Sequence, residues 1–188
     1  MKKTSCIVLG SAILHWALLW SHPASAEDLF TGNTVSVNYD NNQCYPNGRC
    51  MKTAYVHTYR FTKDGSLFSY RRDSGGVHFR PKQKSSSDKS TVRANGHTIP
   101  VYTKSTYSIS GNRFKIRDVT RFTYTQESMP QLPVARGDAL QTIDVHVKID
   151  GRKCTVVAIR NHLKMPAGGV INRQWTSNTR CRIAAGGT

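Results

Sequence analysis

The sequence predicts an all-β protein, a single antiparallel β-sandwich or small β-barrel of about eight strands. Three features of the chain predict this class. Apolar and polar residues alternate over several segments, glycine-containing turn pairs separate these segments, and hardly any stretch repeats with the period of a helix. Alternation places successive side chains on opposite faces of a strand, and a tight turn then returns the chain antiparallel to itself.

Three hairpins give the clearest signals. In each, two segments rich in aromatic and β-branched residues flank a turn whose glycine tolerates a positive φ. They are 54–62 with 66–70 around Asp64-Gly65, 106–110 with 113–125 around Gly111-Asn112, and 143–149 with 153–159 around Asp150-Gly151. Further strands are predicted at 34–39, 97–102 and 174–183, which together fill two packed sheets or a closed barrel.

Three longer segments are predicted as loops. Residues 80–90 are basic and polar with no apolar anchor, so we expect this loop to be mobile. Residues 128–138 hold two prolines, which cannot donate to the interior of a sheet. Residues 162–173 contain a Met-Pro and a Gly-Gly pair, which favour a flexible connection. None of the three resembles a domain linker.

The amino terminus has the pattern of an export signal. Lys2 and Lys3 precede an apolar run over 6–20, and a helix-ending proline and small residues then lead to Ala26. The run is shorter than the roughly 20 apolar residues that span a bilayer, which favours cleavage over a retained membrane anchor. Residues 1–26 are therefore predicted to be a signal peptide. The protein is expected to be periplasmic or extracellular.

The remaining residues, 27–188, are predicted to form one exported domain. The whole chain has 27 basic and 11 acidic residues. Loss of Lys2 and Lys3 with the signal leaves 25 and 11, a net charge of +14. A length of about 160 residues suits a single hydrophobic core. Strong positive charge with few compensating acids favours an anionic partner.

Four cysteines remain after cleavage, an even number in a chain sent to an oxidising compartment. We predict disulfides between Cys44 and Cys50 and between Cys154 and Cys181, because each pairing joins partners that are near in the chain. The other two pairings stay open. No C-x-x-C pair or nearby histidine pair suggests a metal site, and no motif calls for a cofactor.

Two groups of cations are candidate anion-binding residues. On the 113–125 strand, alternation places three cations on one wet face, opposite a face with Phe114 and Ile116. The second group lies on or after the return strand of the first hairpin. The first group is Lys115, Arg117 and Arg121; the second is Arg71, Arg72, Arg80, Lys82, Lys84 and Lys89. An ordinary solvated surface is an equally good interpretation of these charges.

The aromatic residues favour a core over a stacking platform. Tyr55, Tyr59 and Phe61 share a strand face with His57, and Phe68 and Tyr70 share a face of the returning strand. We interpret these rings as hydrophobic core. His57 is interpreted as a histidine that forms a hydrogen bond at a sheet edge.

No catalytic motif is present in the sequence. There is no G-x-S-x-G, no H-E-x-x-H and no phosphate-cradling glycine loop, so no catalytic residue is assigned and a non-enzymatic role is favoured. A fold could bring His78, Asp118 and a serine together, and His146 is expected on an outer face of the third hairpin.

The sequence therefore predicts an exported, basic, non-enzymatic β-domain that binds an anionic polymer or a membrane surface. Export excludes a cytoplasmic nucleic acid as the partner. A small periplasmic or secreted hydrolase is the first alternative. A protein-binding or inhibitor module that uses the loops at 80–90 and 129–138 is the second. The sequence makes no prediction of oligomeric state.

Overall fold

Ten antiparallel strands and no helix occur in the residues that the computed structural model describes, which are 29–71, 75–130, 135–166 and 171–186. The predicted signal peptide and Arg72 lie outside these residues. The strands are β1 (Asn33–Cys44), β2 (Cys50–Phe61), β3 (Leu67–Arg71), β4 (Gly75–Phe79), β5 (Ser85–Ala94), β6 (His97–Ser110), β7 (Arg113–Thr125), β8 (Arg136–Asp150), β9 (Lys153–Lys164) and β10 (Arg173–Ala185).

The strands form two five-stranded antiparallel sheets. Sheet A has the order β10-β1-β2-β3-β4, and sheet B has the order β5-β6-β7-β8-β9. Consecutive strands therefore pair within β1–β4 and within β5–β9. The chain crosses from sheet A to sheet B between β4 and β5, and β10 returns to the edge of sheet A beside β1. The all-β prediction is confirmed in its antiparallel, two-sheet form. The strand number is ten instead of about eight, and hydrogen bonds between the described strands do not close the sheets into a barrel.

The sheets share one core, to which both contribute alternate side chains. Phe114 of β7 has its ring centroid 5.1 Å from those of Tyr59 and Phe61 of β2, and Phe79 of β4 packs edge-on against Tyr107 of β6 at 5.0 Å. Alternation over Arg113–Arg121 of β7 and along β8 explains this geometry, since the buried residues there follow a period of two. The sequence assigned the inward faces of β2 and β7 correctly.

The predicted turns join the strands as expected. A two-residue loop containing Gly111 at φ 56° connects β6 and β7, and one containing Gly151 at φ 59° connects β8 and β9. Gly65 lies at φ 84° between β2 and β3. These are conformations that glycine adopts without a steric penalty.

Both predicted disulfides are confirmed. Cys44–Cys50 closes the end of the β1–β2 hairpin, and Cys154–Cys181 links β9 of sheet B to β10 of sheet A. The second bond therefore ties the two sheets together along one side. Two disulfides indicate a protein that folds outside the reducing cytoplasm.

Three predictions about local structure are wrong. The segment 80–90 is not a single mobile loop, because β5 begins at Ser85 and pairs with β6 along its whole length. Phe68 and Tyr70 lie on the outer face of sheet A, where Tyr70 is 47% exposed, since Leu67 and Ser69 take the inward positions. His57 is not at a sheet edge: β2 is the middle strand of sheet A, and the side chain is fully buried.

Candidate anion-binding surface

The outer face of sheet B carries half of the basic residues that the structure describes. On β5 to β9, the residues that alternate with buried positions project to solvent, and register places them side by side across the five strands. Three aspartates share this face: Asp138, Asp144 and Asp150. The twelve basic residues on it are Lys89, Arg93, Lys104, Arg113, Lys115, Arg117, Arg121, Arg136, Lys148, Lys153, Arg160 and Lys164.

Each aspartate of this face pairs with one of its cations. Arg117 forms a two-point contact with Asp144, with Nε donating to Oδ1 at 2.6 Å and the second nitrogen to Oδ2 at 3.2 Å. Lys148 lies 2.9 Å from Asp150, and Arg121 lies 3.9 Å from Asp138. Three pairs leave most of the twelve cations uncompensated. The face as a whole is therefore strongly positive.

The three cations predicted on the β7 strand do project together from this surface. Lys115, Arg117 and Arg121 are all exposed, and their register partners on β8 are His146, Asp144 and Leu140. Burial lowers the pKa of His146, and the positive charges of Lys115 and Arg113 lower it further.

The second predicted group divides between surface and interior. Arg71 points inward, where its guanidinium donates a 3.0 Å hydrogen bond to the Gln141 side chain, so it lies apart from the surface group in which the sequence placed it. Lys84 places its amine 4.7 Å from the centre of the Tyr107 ring. Arg80, Lys82 and Lys89 are exposed.

A groove of about 890 Å³ brings Arg80 and Lys82 together with residues that the sequence did not single out. It lies at the crossover from β4 to β5, beside the outer face of sheet B. Lys104 from β6 supplies a third cation, and Tyr102 contributes a ring that has the Arg121 guanidinium 5.7 Å from its centre. Among the residues that the structure describes, no acidic side chain lines the groove. Its other lining residues are His78, Pro81, Gln83, Ser85, Ser86 and Ser87.

The Arg80–Gln83 turn forms one wall of the groove. The Gln83 amide donates to the Arg80 carbonyl at 3.0 Å, and the Arg80 amide donates to the Gln83 side-chain oxygen at 3.0 Å. Pro81 and Lys82 are the central residues, and Lys82 has φ 65°. This is the pattern of a type II turn with lysine at the position that glycine or asparagine prefers.

The interior holds a polar network that the sequence analysis missed. Tyr39 Oη lies 3.2 Å from His57 Nε2 and accepts a 3.2 Å hydrogen bond from Asn161, and Gln141 donates to Asn161 Oδ1 at 3.0 Å. Burial, together with the charge of Arg71, lowers the pKa of His57 to about 3. The alternation over 55–59 indicated that His57 shares a face with core tyrosines, but it did not indicate the hydrogen-bond partners Tyr39 and Asn161, which come from other strands.

Three charged residues, Arg71, Asp88 and Asp118, line a small cavity in this interior region. The cavity of about 20 Å³ lies between β3, β4 and the strands of sheet B and is large enough for about one water molecule. Burial raises the pKa of Asp118, while the charge of Arg71 opposes that shift. His78 lies on the outer face of sheet A, stacked on Phe68 with centroids 4.1 Å apart, so the structure does not bring it together with Asp118.

Metal clusters and membrane-spanning helices are both absent from the described residues. They contain no cluster of three histidine, cysteine or acidic side chains that could hold a metal ion. No helix among them has the length and hydropathy needed to cross a membrane.

Comparison with known proteins identifies no relative. No protein-family model matches the chain, and no curated protein or solved structure matches it significantly.

Proposed function

We propose that this protein is exported and binds an anionic polymer through the outer face of sheet B. The observation that carries the proposal is the ratio of twelve basic residues to three aspartates on that face. The residue 1–26 pattern and the two disulfides support export to an oxidising compartment.

A polymer suits this surface better than a small anion does. The cations are spread over five strands that lie about 4.8 Å apart, so the positive face is about 20 Å wide. A chain that lies across it neutralises several cations at once. Each contact releases condensed counterions, and affinity then comes from their number instead of from one deep pocket.

The test is the salt dependence of binding to two labelled probes, a single-stranded oligonucleotide and a sulfated polysaccharide, measured by fluorescence anisotropy. We expect log Kd to rise linearly with log salt concentration. About five contacts with the single strand give a slope of about 3.5. Binding that is insensitive to salt contradicts the proposal.

A matched pair of variants locates the surface. Lys115→Gln, Arg117→Gln and Arg121→Gln together remove three charges from β7, and we expect this change to weaken binding at least about tenfold and to reduce the slope by about 2. The control removes three charges elsewhere, at the exposed Arg49, Arg180 and Arg182. Equal loss in both variants means that net charge alone drives binding, which refutes the assignment to sheet B.

A further inference from the structure

The groove at the β4–β5 crossover differs from the rest of the positive surface in shape and in chemistry. It is concave, and its three cations come from two different segments, the Arg80–Gln83 turn and β6. Among the described residues, no carboxylate forms an ion pair with Arg80, Lys82 or Lys104. The cations of the flat face have aspartates among them, whereas those of the groove do not.

Hydroxyl groups complete the lining between these cations. Ser85, Ser87 and Tyr102 line the groove from β5 and β6. Register places Ser87 directly opposite Lys104 on the outer face. Charged and neutral donors therefore approach the same space from a turn and from two strands. A tetrahedral oxyanion can accept hydrogen bonds from several directions at once, whereas a carboxylate accepts them in one plane.

Lys82 gives an independent indication that the groove is a binding site. Its φ of 65° is a left-handed conformation that a lysine adopts only against a steric penalty, and glycine at this turn position avoids that penalty. Strained backbone of this kind clusters at binding and catalytic sites, so the conformation of Lys82 supports a binding role for its side chain. Lys82 also lines a second hollow, of about 330 Å³, on the other side of the turn, so it stands at the rim between the two.

We propose that this groove is a subsite for a phosphate or sulfate ester group, and that Lys82 is held in its strained conformation to contact that group. The ester belongs to the polymer of the proposed function, on which this inference rests. Arg80 and Lys104 bind the other oxygens, and the serine hydroxyls select the tetrahedral group over a carboxylate.

The first experiment titrates the whole protein with inorganic pyrophosphate, sulfate or acetate at constant ionic strength, with amide chemical shifts as the readout. Pyrophosphate or sulfate is expected to shift the amides of 80–87 and 102–104, and acetate is expected to leave them unchanged. Stronger binding of pyrophosphate identifies a phosphate-bearing chain, and stronger binding of sulfate a sulfated one. Equal shifts with acetate, or shifts located elsewhere, overturn the subsite.

The second experiment separates function from folding at Lys82. Lys82→Gly is expected to raise the urea midpoint, because the strain is relieved, and to weaken binding of the preferred anion about fivefold, because a charge is lost. Lys82→Asn tolerates the same φ without the charge and is expected to bind as weakly. Arg182→Gln removes one exposed charge that lies outside the groove and outside sheet B, and it is expected to leave anion binding unchanged.

The outcomes distinguish this inference from the proposed function. If Lys82→Gly binds the anion as well as the natural protein does, the subsite is wrong. If polymer binding is lost in the β7 triple variant but is equally strong in Lys82→Gly and Arg182→Gln, the function stands without the subsite. If no polymer binds while pyrophosphate or sulfate still occupies the groove, the function is wrong and the subsite stands.

Discussion

Acid should destabilise this protein through one buried histidine. His57 is fully buried, faces Tyr39 and Tyr59 on its own side of sheet A, and lies within the field of Arg71. Its pKa is about 3 in the folded protein and 6.5 when it is unperturbed. Between these values the unfolded chain binds a proton that the folded chain does not. Stability is therefore complete above about pH 6.5 and is lost as the pH falls towards 3.

The size of the effect follows from the two pKa values. At pH 7.5 the histidine is neutral in both states, so it contributes almost no difference. A pH of 5.0 is 1.5 units below the unperturbed pKa of 6.5, so the histidine is protonated in the unfolded state. In the folded state it is still neutral, because its pKa there is about 3. This difference lowers the free energy of unfolding by about 2 kcal/mol.

The assay is urea unfolding at pH 7.5 and 5.0 with the disulfides intact. With a slope of about 2 kcal/mol per molar urea, the His57 contribution moves the midpoint down by about 1 M. His57→Gln is the comparison, because glutamine has no titrating group. It will be less stable at both pH values, but its loss between them should be smaller by about 2 kcal/mol. Titration of His146 and of the acidic residues is common to both proteins and cancels.

Equal losses in the natural protein and in His57→Gln would refute the reasoning. That result means that His57 can take up a proton without unfolding, and hence that the interior admits water or rearranges around it. A larger loss in the variant would contradict the predicted sign.

Two further predictions concern the core and the disulfides. Phe114→Ala should lower the free energy of unfolding by about 3 to 5 kcal/mol in urea titrations, because the ring is fully buried against both sheets; a loss below about 1 kcal/mol contradicts its central position. Replacing Cys154 and Cys181 by alanine should cost about 3.5 kcal/mol, against about 2 kcal/mol for Cys44 and Cys50, because the closed loops span 27 and 6 residues. Calorimetry of the two double variants checks the order, and a reversed order contradicts the loop-closure explanation.

Strands with regular alternation could be predicted from the sequence, and those without it could not. Over Ala139–Ile149 of β8 every second residue is buried and all of these except Gln141 are apolar, so the strand and its two faces could be predicted from the sequence. In β5 the inward positions include Ser86 and Asp88, and its composition resembles that of a loop. The segment forms a strand because it pairs with β6 along its whole length, and its own composition does not predict a strand. The Asn95-Gly96 pair, which forms the two-residue turn between them, was the available signal.

The faces of β3 were assigned wrongly for a related reason. The usual rule places the apolar face inward, which selects Phe68 and Tyr70 over Ser69. The interior beneath this strand is polar, and Ser69 lines the small cavity that Arg71 and Asp118 share. Next to a buried polar network, polar side chains point inward and apolar ones point outward, which is the opposite of the usual rule. The position of such a network is known only from the assembled fold.

The cations of the site were recognised one strand at a time, but their convergence could not be. Arg80 and Lys104 are far apart in the chain. They line the same groove because Arg80 lies in the crossover from β4 to β5 and Lys104 lies on β6, which pairs with β5. Tyr102 and Lys104 carried no signal that distinguished them from other exposed strand residues.

The placement of the Cys154–Cys181 bond makes the two sides of the molecule mechanically unequal. On the side with the disulfide, the Gln174 side chain also forms two 2.9 Å hydrogen bonds with the backbone of Leu163. A covalent bond and two hydrogen bonds therefore hold β9 and β10 together. On the other side, the Ser86 hydroxyl holds the His78 carbonyl at 2.6 Å without a covalent link. Thermal opening should therefore begin at β4 and β5, where amide hydrogen exchange will be fastest. The groove lies on that margin, so its walls can separate slightly while the remainder of both sheets stays closed.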